Sequence, residues 1–337
     1  MGQKLNIFWF RRDLRLHDNV GLHHALNSEF PVLPIFIFDP EILEKLPKND
    51  SRVTFIYENL QLLRDRLLKK DSSLALFYGK PINIFREIIQ NYEIREVFTN
   101  GDYEPYALER DAEINNLLTE KNIGFNVYKD QVIFEKNEIV KPNGDPYVVY
   151  SPYMRLWKEC FGNNIPSNFP VEENNFIQKT ELQNLTLQEI GFEPSEIKVQ
   201  AKRINSDFVK DYEKIRNFPG KDGTSHLGPQ LRFGTVSIRE IVALAASEKN
   251  ETFLQELIWR EFFMQILFHY PNTVTEAFKR KYDRIPWRNN EDEFELWKAG
   301  KTGFPLIDAG MRQLKETGFM HNRIRMLVAS FLCKHLL

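Results

Sequence analysis

Asn6-Ile7-Phe8-Trp9-Phe10-Arg11-Arg12-Asp13-Leu14-Arg15-Leu16-His17-Asp18-Asn19 opens on four consecutive apolar residues, Ile7–Phe10, and breaks at once into charge. A short, fully apolar run ended by polar residues reads as a strand buried on both faces. Four more runs follow at intervals: Val32–Phe38, Leu74–Tyr78, Glu96–Thr99 and Gly124–Tyr128. Between them lie helical patterns, clearest at Arg52–Lys70, Ile82–Asn91 and Pro105–Lys121. Strands alternating with helices predict βαβ units and a parallel sheet covered on both faces, an α/β domain over residues 1–130. The charged run after the first strand stands where a G-x-G-x-x-G turn would hold a dinucleotide, so Rossmann-type dinucleotide binding is not expected here. A ligand crevice is still expected at the carboxyl ends of the strands, where Asp102, Tyr103, Glu104 and Pro105 fall.

Beyond the sheet the pattern changes. Asn163, Asn164, Pro166, Pro170, Asn174 and Asn175 punctuate residues 131–204, a connector with one short helix starting near Tyr150. From residue 205 to 337 the periodicity is helical. Ser237-Ile238-Arg239-Glu240 is a capping box. Gly220, Gly223, Thr224, Ser225 and Gly228 form a loop whose amide and hydroxyl donors suit a phosphate. In the helix that follows, Glu256, Trp259, Arg260 and Phe263 fall at i, i+3, i+4 and i+7, a charged and aromatic stripe on an otherwise apolar helix. Such a stripe is either a Glu256–Arg260 pair stabilising a core helix or the wall of a site.

The chain has 337 residues, is 42% hydrophobic and 27% charged, and has a net charge of −2, the profile of an ordinary globular protein of about two domains. Residues 1–200 carry 23 Lys and Arg against 30 Asp and Glu, whereas the remainder carries 22 against 17. The second part can therefore present a basic face to a polyanion. Two cysteines build neither a disulfide framework nor a four-cysteine metal site, so no metal is expected and the thiols read as reduced. The first residues hold no secretory apolar region, and no apolar stretch reaches spanning length. A cytoplasmic monomer without membrane attachment is the expectation.

Five segments in order resemble the photolyase/cryptochrome flavoproteins: Phe8–Asn19, Gly223–Ser225, Glu256–Phe262, Gly300–Pro305 and Met320–Met326. The likeness is nearest to bacterial class I cyclobutane pyrimidine dimer photolyases. It implies an α/β antenna domain followed by an all-helical domain that holds FAD, and damaged DNA as the partner. Tyr212, Thr224, Ser225, His226, Leu227, Gly228 and Arg260 match positions at FAD, with Arg260 near its phosphates. Glu104 matches a position that contacts a folate (methenyltetrahydrofolate) antenna. Trp259 would stack on the flipped dimer and Glu256 would hydrogen-bond its edge. Asn322 and Arg323 match positions close to flavin, lesion and DNA backbone, and Arg216 and Phe263 join the DNA-facing set. Trp287 matches the outer tryptophan of an electron relay. Lys279, Arg280, Lys281, Arg284 and Arg288 are candidate phosphate contacts.

Relatives continue past the position of Leu337 into helices with an Asp and an Asn at the flavin and two more tryptophans. The apolar, uncapped run Val328–Leu337 therefore reads as the edge of an incomplete helical domain, from a truncated gene, a partial sequence or a chain completed by another polypeptide. The implied activity is light-driven repair of cyclobutane dimers by electron transfer from reduced FAD. Two other readings stay open: a blue-light photoreceptor without repair activity, and an inactive fragment.

Overall fold

The computed structural model describes residues 3–162, 166–172 and 174–337. Asn163 and Asn164 of the expected connector, and Met1 and Gly2, lie outside the described residues. Five parallel strands, β1 (Lys4–Phe10), β2 (Val32–Phe38), β3 (Ala75–Tyr78), β4 (Glu93–Asn100) and β5 (Gly124–Tyr128), form a sheet of order β3-β2-β1-β4-β5. The helices between them are α1 (Val20–Leu26), α2 (Pro40–Leu43), α3 (Ser51–Leu68), α4 (Pro81–Asn91) and α5 (Pro105–Glu120). Continuous apolar composition in β1 and β2 follows from cover on both faces. Alternate side chains enter two separate cores, Phe8, Phe10, Phe36 and Phe38 in one, and Ile7, Trp9, Ile35 and Ile37 in the other. Strand β4 is longer than the apolar core Glu96–Thr99 predicts, because Glu93 and Arg95 sit on its solvent-accessible start.

The connector contributes α6 (Tyr150–Phe161), and its other described residues run as turns and extended chain. The remaining helices are α7 (Ser206–Ile215), α8 (Leu227–Arg232), α9 (Ile238–Ala246), α10 (Thr252–His269), α11 (Glu291–Lys298), α12 (Pro305–Thr317) and α13 (Asn322–Phe331). Tyr153, Trp157, Val209, Leu231, Ile241, Leu257, Ile258 and Phe262 join α6 to α10 in one core. A smaller core of Ile307, Met311, Met320, Ile324 and Val328 joins α12 to α13. Ser237 caps α9 as its capping box predicts, its Oγ accepting from the Arg239 and Glu240 amides. The reciprocal half differs, since the Glu240 carboxylate turns outward to His17 at 3.4 Å.

The charged run after β1 is the joint between the two parts. Arg15 donates to both Asp130 carboxylate oxygens at 2.7 and 2.8 Å. Arg239, on α9, donates from Nε to Asp18 Oδ1 and Oδ2 at 3.1 and 3.0 Å and from Nη2 to Asp130 Oδ1 at 2.9 Å. All four side chains are buried. Gly234 packs so closely here that a Cβ would lie 2.2 Å from the Arg12 carbonyl oxygen, and its φ of +62° is in the left-handed region. Two guanidiniums bridging two carboxylates satisfy charges that burial would otherwise penalise. That network fixes the helical part against the carboxyl end of β1.

Candidate functional site

Two features meet beside this joint. The first is a cavity of about 930 Å³ at the carboxyl ends of the strands. Phe10, Arg12, Phe38, Asp39, Asp102 and Glu104 line it from the sheet, and His226, Arg232, Phe319 and Arg325 close it from the helical part. The crevice expected after β4 is therefore present, with a second wall that strand order alone did not predict. Glu104 stands at its edge, accepting from Arg12 Nη2 at 2.5 Å and paired with Arg232 Nη1 at 2.7 Å. Burial raises the Glu104 carboxyl, but the two guanidiniums outweigh it and hold the group down at about 2. Tyr103 differs from expectation: it is buried, and its hydroxyl donates to Glu135.

The second feature is the exposed edge of α10. Glu256 pairs with Arg216 Nη2 at 2.7 Å, and the Arg216 guanidinium lies 5.3 Å from the centre of the Tyr212 ring. The Glu256–Arg260 pair is corrected accordingly. Arg260 donates instead to the carbonyls of Gln131 at 2.7 Å and Leu231 at 3.2 Å, and burial draws its guanidinium down to about 10. Its fork is thus directed to backbone on the connector and α8. Trp259 is half-buried and Phe263 is 61% exposed, with the two rings offset-stacked at 5.4 Å. Arg323 donates from Nε to Asn217 Oδ1 at 2.8 Å, on the loop after α7, and its charge acts on Tyr212. Asn322 is exposed at the first turn of α13, which the His321 side chain caps by accepting from the Arg323 amide. Tyr212, Arg216, Glu256 and Arg323 thus lie along linked contacts, and the stacked Trp259 and Phe263 follow Glu256 about one and two turns along α10.

Trp287 is 43% exposed on the segment before α11 and takes no part in those contacts among the described residues. Arg288, expected at phosphate, is instead committed within the chain, donating to Glu293 and to the Leu336 carbonyl.

The Thr224–Ser225 loop leads into α8, which His226 does not cap with its side chain and whose first amide, Leu227, donates to Ser225 Oγ at 3.4 Å. Thr224 and Ser225 are half-buried, and no atom lies within 4 Å of where a Gly228 Cβ would sit. His226, in the left-handed region, closes the loop through Thr224 Oγ1 at 3.3 Å and Asp222 Oδ1 at 3.2 Å. The Thr224 and Ser225 hydroxyls and the amide of the exposed Gly228 form a donor set that fits a diphosphate.

Two residues escaped the sequence reading. Glu261 is the deeply buried carboxylate of α10, accepting from the amides of Ile133 and Phe134 at 2.7 and 3.1 Å and from Trp157 Nε1 at 2.5 Å. Burial pushes it up to about 7 against those donors. Tyr150 lies face to face with Trp259, centroids 3.5 Å apart and planes 7° from parallel. Glu261 was visible as a carboxylate on the apolar side of the helix, whereas no local signal marked Tyr150.

A parallel sheet with an open crevice, joined to a helical part bearing a polar, aromatic wall and a phosphate-competent loop, defines a two-part nucleotide-cofactor protein. The comparisons place it more narrowly. Residues 6–171 match the family model for DNA photolyase, and residues 253–337 match the FAD binding domain of DNA photolyase. A deoxyribodipyrimidine photo-lyase from Synechococcus sp. is 34% identical over 98% of this chain and 74% of its own length. A bacterial class III photolyase structure from Agrobacterium tumefaciens superimposes with a TM-score of 0.87 at 29% identity, over 100% of this chain and 74% of that one. The Synechocystis sp. cryptochrome structure gives 0.85 at 26% identity, over 99% and 76%. The chain belongs to the photolyase/cryptochrome family and carries an FAD-binding domain of that family.

Proposed function

We infer that this chain repairs cyclobutane pyrimidine dimers in DNA in a light-dependent reaction. The observation that carries the reading is the edge of α10, where an accessible aromatic pair, Trp259 and Phe263, adjoins the Glu256–Arg216 ion pair. Aromatic planes beside a hydrogen-bonding carboxyl suit a base removed from its duplex. FAD, when bound, supplies the light-driven electron that splits the dimer and then recovers it. Thr224, Ser225 and the Gly228 amide would hold its diphosphate, with His226 in the same loop and Tyr212 on α7 completing the set. Trp259 and Phe263 orient the dimer by stacking and shield it from water. Glu256 presents its carboxyl to the pyrimidine edge, and Asn322 offers an amide nearby. Arg216 and Arg323 engage the flanking phosphodiesters, and Lys279, Arg280, Lys281 and Arg284, all exposed, extend that basic surface. Trp287 would pass electrons inward from solvent.

The division into residues 1–130, 131–204 and 205–337, a monomeric state and a cytoplasmic location belong to the same reading. Among the described residues no helix is long and apolar enough to cross a membrane, and Cys160 and Cys333 are unpaired. A light-harvesting pigment, a folate in the simplest case, would meet Glu104 at the cavity edge.

Repair of an oligonucleotide carrying one thymine dimer, under blue light and with flavin-loaded protein, tests the proposal. W259L and E256Q should lower turnover while flavin binding persists. A photoreceptor without repair activity is the second reading, favoured by the likeness to the cryptochrome fold. It prevails if flavin is photoreduced and dimers remain intact.

A further inference from the structure

Tyr150 opens α6 in the connector, 109 positions before Trp259, and has no place in the roles above. Its ring lies 3.5 Å from that of Trp259 with planes 7° apart, close to the separation of stacked bases. Two other contacts hold it there. The Tyr150 hydroxyl donates to the Gln255 carbonyl at 2.7 Å, and its ring meets Phe262 edge-on at 5.8 Å. Gln255 adjoins Glu256, whose charge, after burial, is the second influence raising the Tyr150 phenol. A ring fixed at its hydroxyl, face and edge is a backing plate. It covers one face of the indole, while the Phe263 ring, 61% exposed, lies offset beside the indole at 5.4 Å.

We propose that Tyr150 is a positioning residue of the lesion pocket, backing Trp259 so that the indole offers one fixed face to an extrahelical pyrimidine dimer while the Tyr150 hydroxyl braces the turn of α10 that carries Glu256. The inference rests on the dimer-binding reading given above. Because every base has a π-face, a fixed indole plate adds affinity only for bases that are already unstacked. Tyr150 therefore governs discrimination between damaged and intact DNA, and intact DNA held through phosphates is indifferent to it.

The test uses the full chain in the dark. Fluorescence anisotropy measures the Kd for a duplex with one thymine dimer and for the same duplex without it, giving a ratio for each variant. W259L should abolish the preference. Y150L, which removes the plane, should cut it by about tenfold with little change for the intact duplex. Y150H, which restores a planar ring, should recover most of it, and Y150F should stay within about threefold of wild type. If W259L still discriminates, the dimer-binding reading itself fails. If W259L loses discrimination while Y150L keeps it, or if Y150F loses as much as Y150L, the backing role is overturned. Should Y150L fail to fold by circular dichroism, Y150F and Y150H decide by the same ratios, and loss of discrimination in both overturns the proposal.

Discussion

Replacing Arg239 by methionine removes the guanidinium that joins α9 to the loop after β1, and the cost can be worked from its partners. Asp130 keeps the two Arg15 bonds at 2.7 and 2.8 Å and stays compensated. Asp18 loses its guanidinium and retains the Phe169 amide at 2.8 Å and the Ser237 hydroxyl. The perturbation therefore leaves one buried carboxylate without a counter-charge. Breaking a buried pair costs roughly 3–5 kcal/mol, and two surviving donors put R239M at the lower end, about 3 kcal/mol. D18N removes the charge from the other side. Asn accepts the left-handed backbone at this position, where φ is +42°, so backbone strain does not confuse the measurement. Arg239 then keeps Asp130, and D18N alone should cost about 2 kcal/mol. The double variant has no orphaned charge and should cost about 3 kcal/mol, well below the sum of the single changes, a coupling of about 2 kcal/mol. Urea unfolding followed by far-ultraviolet circular dichroism gives all four values. An R239M cost below about 1 kcal/mol, or additivity within about 0.5 kcal/mol, would refute the reasoning.

Glu261 predicts a pH dependence with a definite sign. Its carboxyl is raised to about 7 from an ordinary 4.5, so between those values the folded chain keeps a proton that the unfolded chain has released. Stability should therefore fall as pH rises across that window, by roughly 3 kcal/mol, and level off on either side. E261Q should lose that component, and an unchanged difference between urea midpoints at the two ends would count against it. Ala at Gly234 must meet the Arg12 carbonyl at 2.2 Å and the Asp13 Cα at 2.6 Å from a positive φ. A loss of roughly 3 kcal/mol or more is expected in thermal unfolding, and a wild-type melting temperature would rule the clash out. R216Q should flatten the salt dependence of binding to intact duplex by about one phosphate contact. An unaltered slope would show that Arg216 stays with Glu256 when DNA binds.

What the sequence determined is mostly local. Val32–Phe38 coincides with an observed strand because an unbroken apolar run bounded by turn residues has few other folded states, and Gly124–Tyr128, a short run of mostly strand-favouring residues after a turn, does so as the half-buried edge strand. Ser237 reads as a helix cap because a side-chain oxygen reaches only amides two or three residues ahead. The stripe Glu256, Trp259 and Phe263 was legible because helical spacing puts these residues along one edge. Tertiary structure decided the partners. Glu256 had Arg260 within helical reach, yet it chose Arg216, 40 positions earlier, because the Gln131 and Leu231 carbonyls took the Arg260 guanidinium. Tyr150 reached Trp259 only when the connector folded α6 onto α10. Periodicity reports which face a residue occupies, whereas hydrogen bonds and ring stacking depend on separations of a few ångströms across remote segments, and packing of the whole chain sets those.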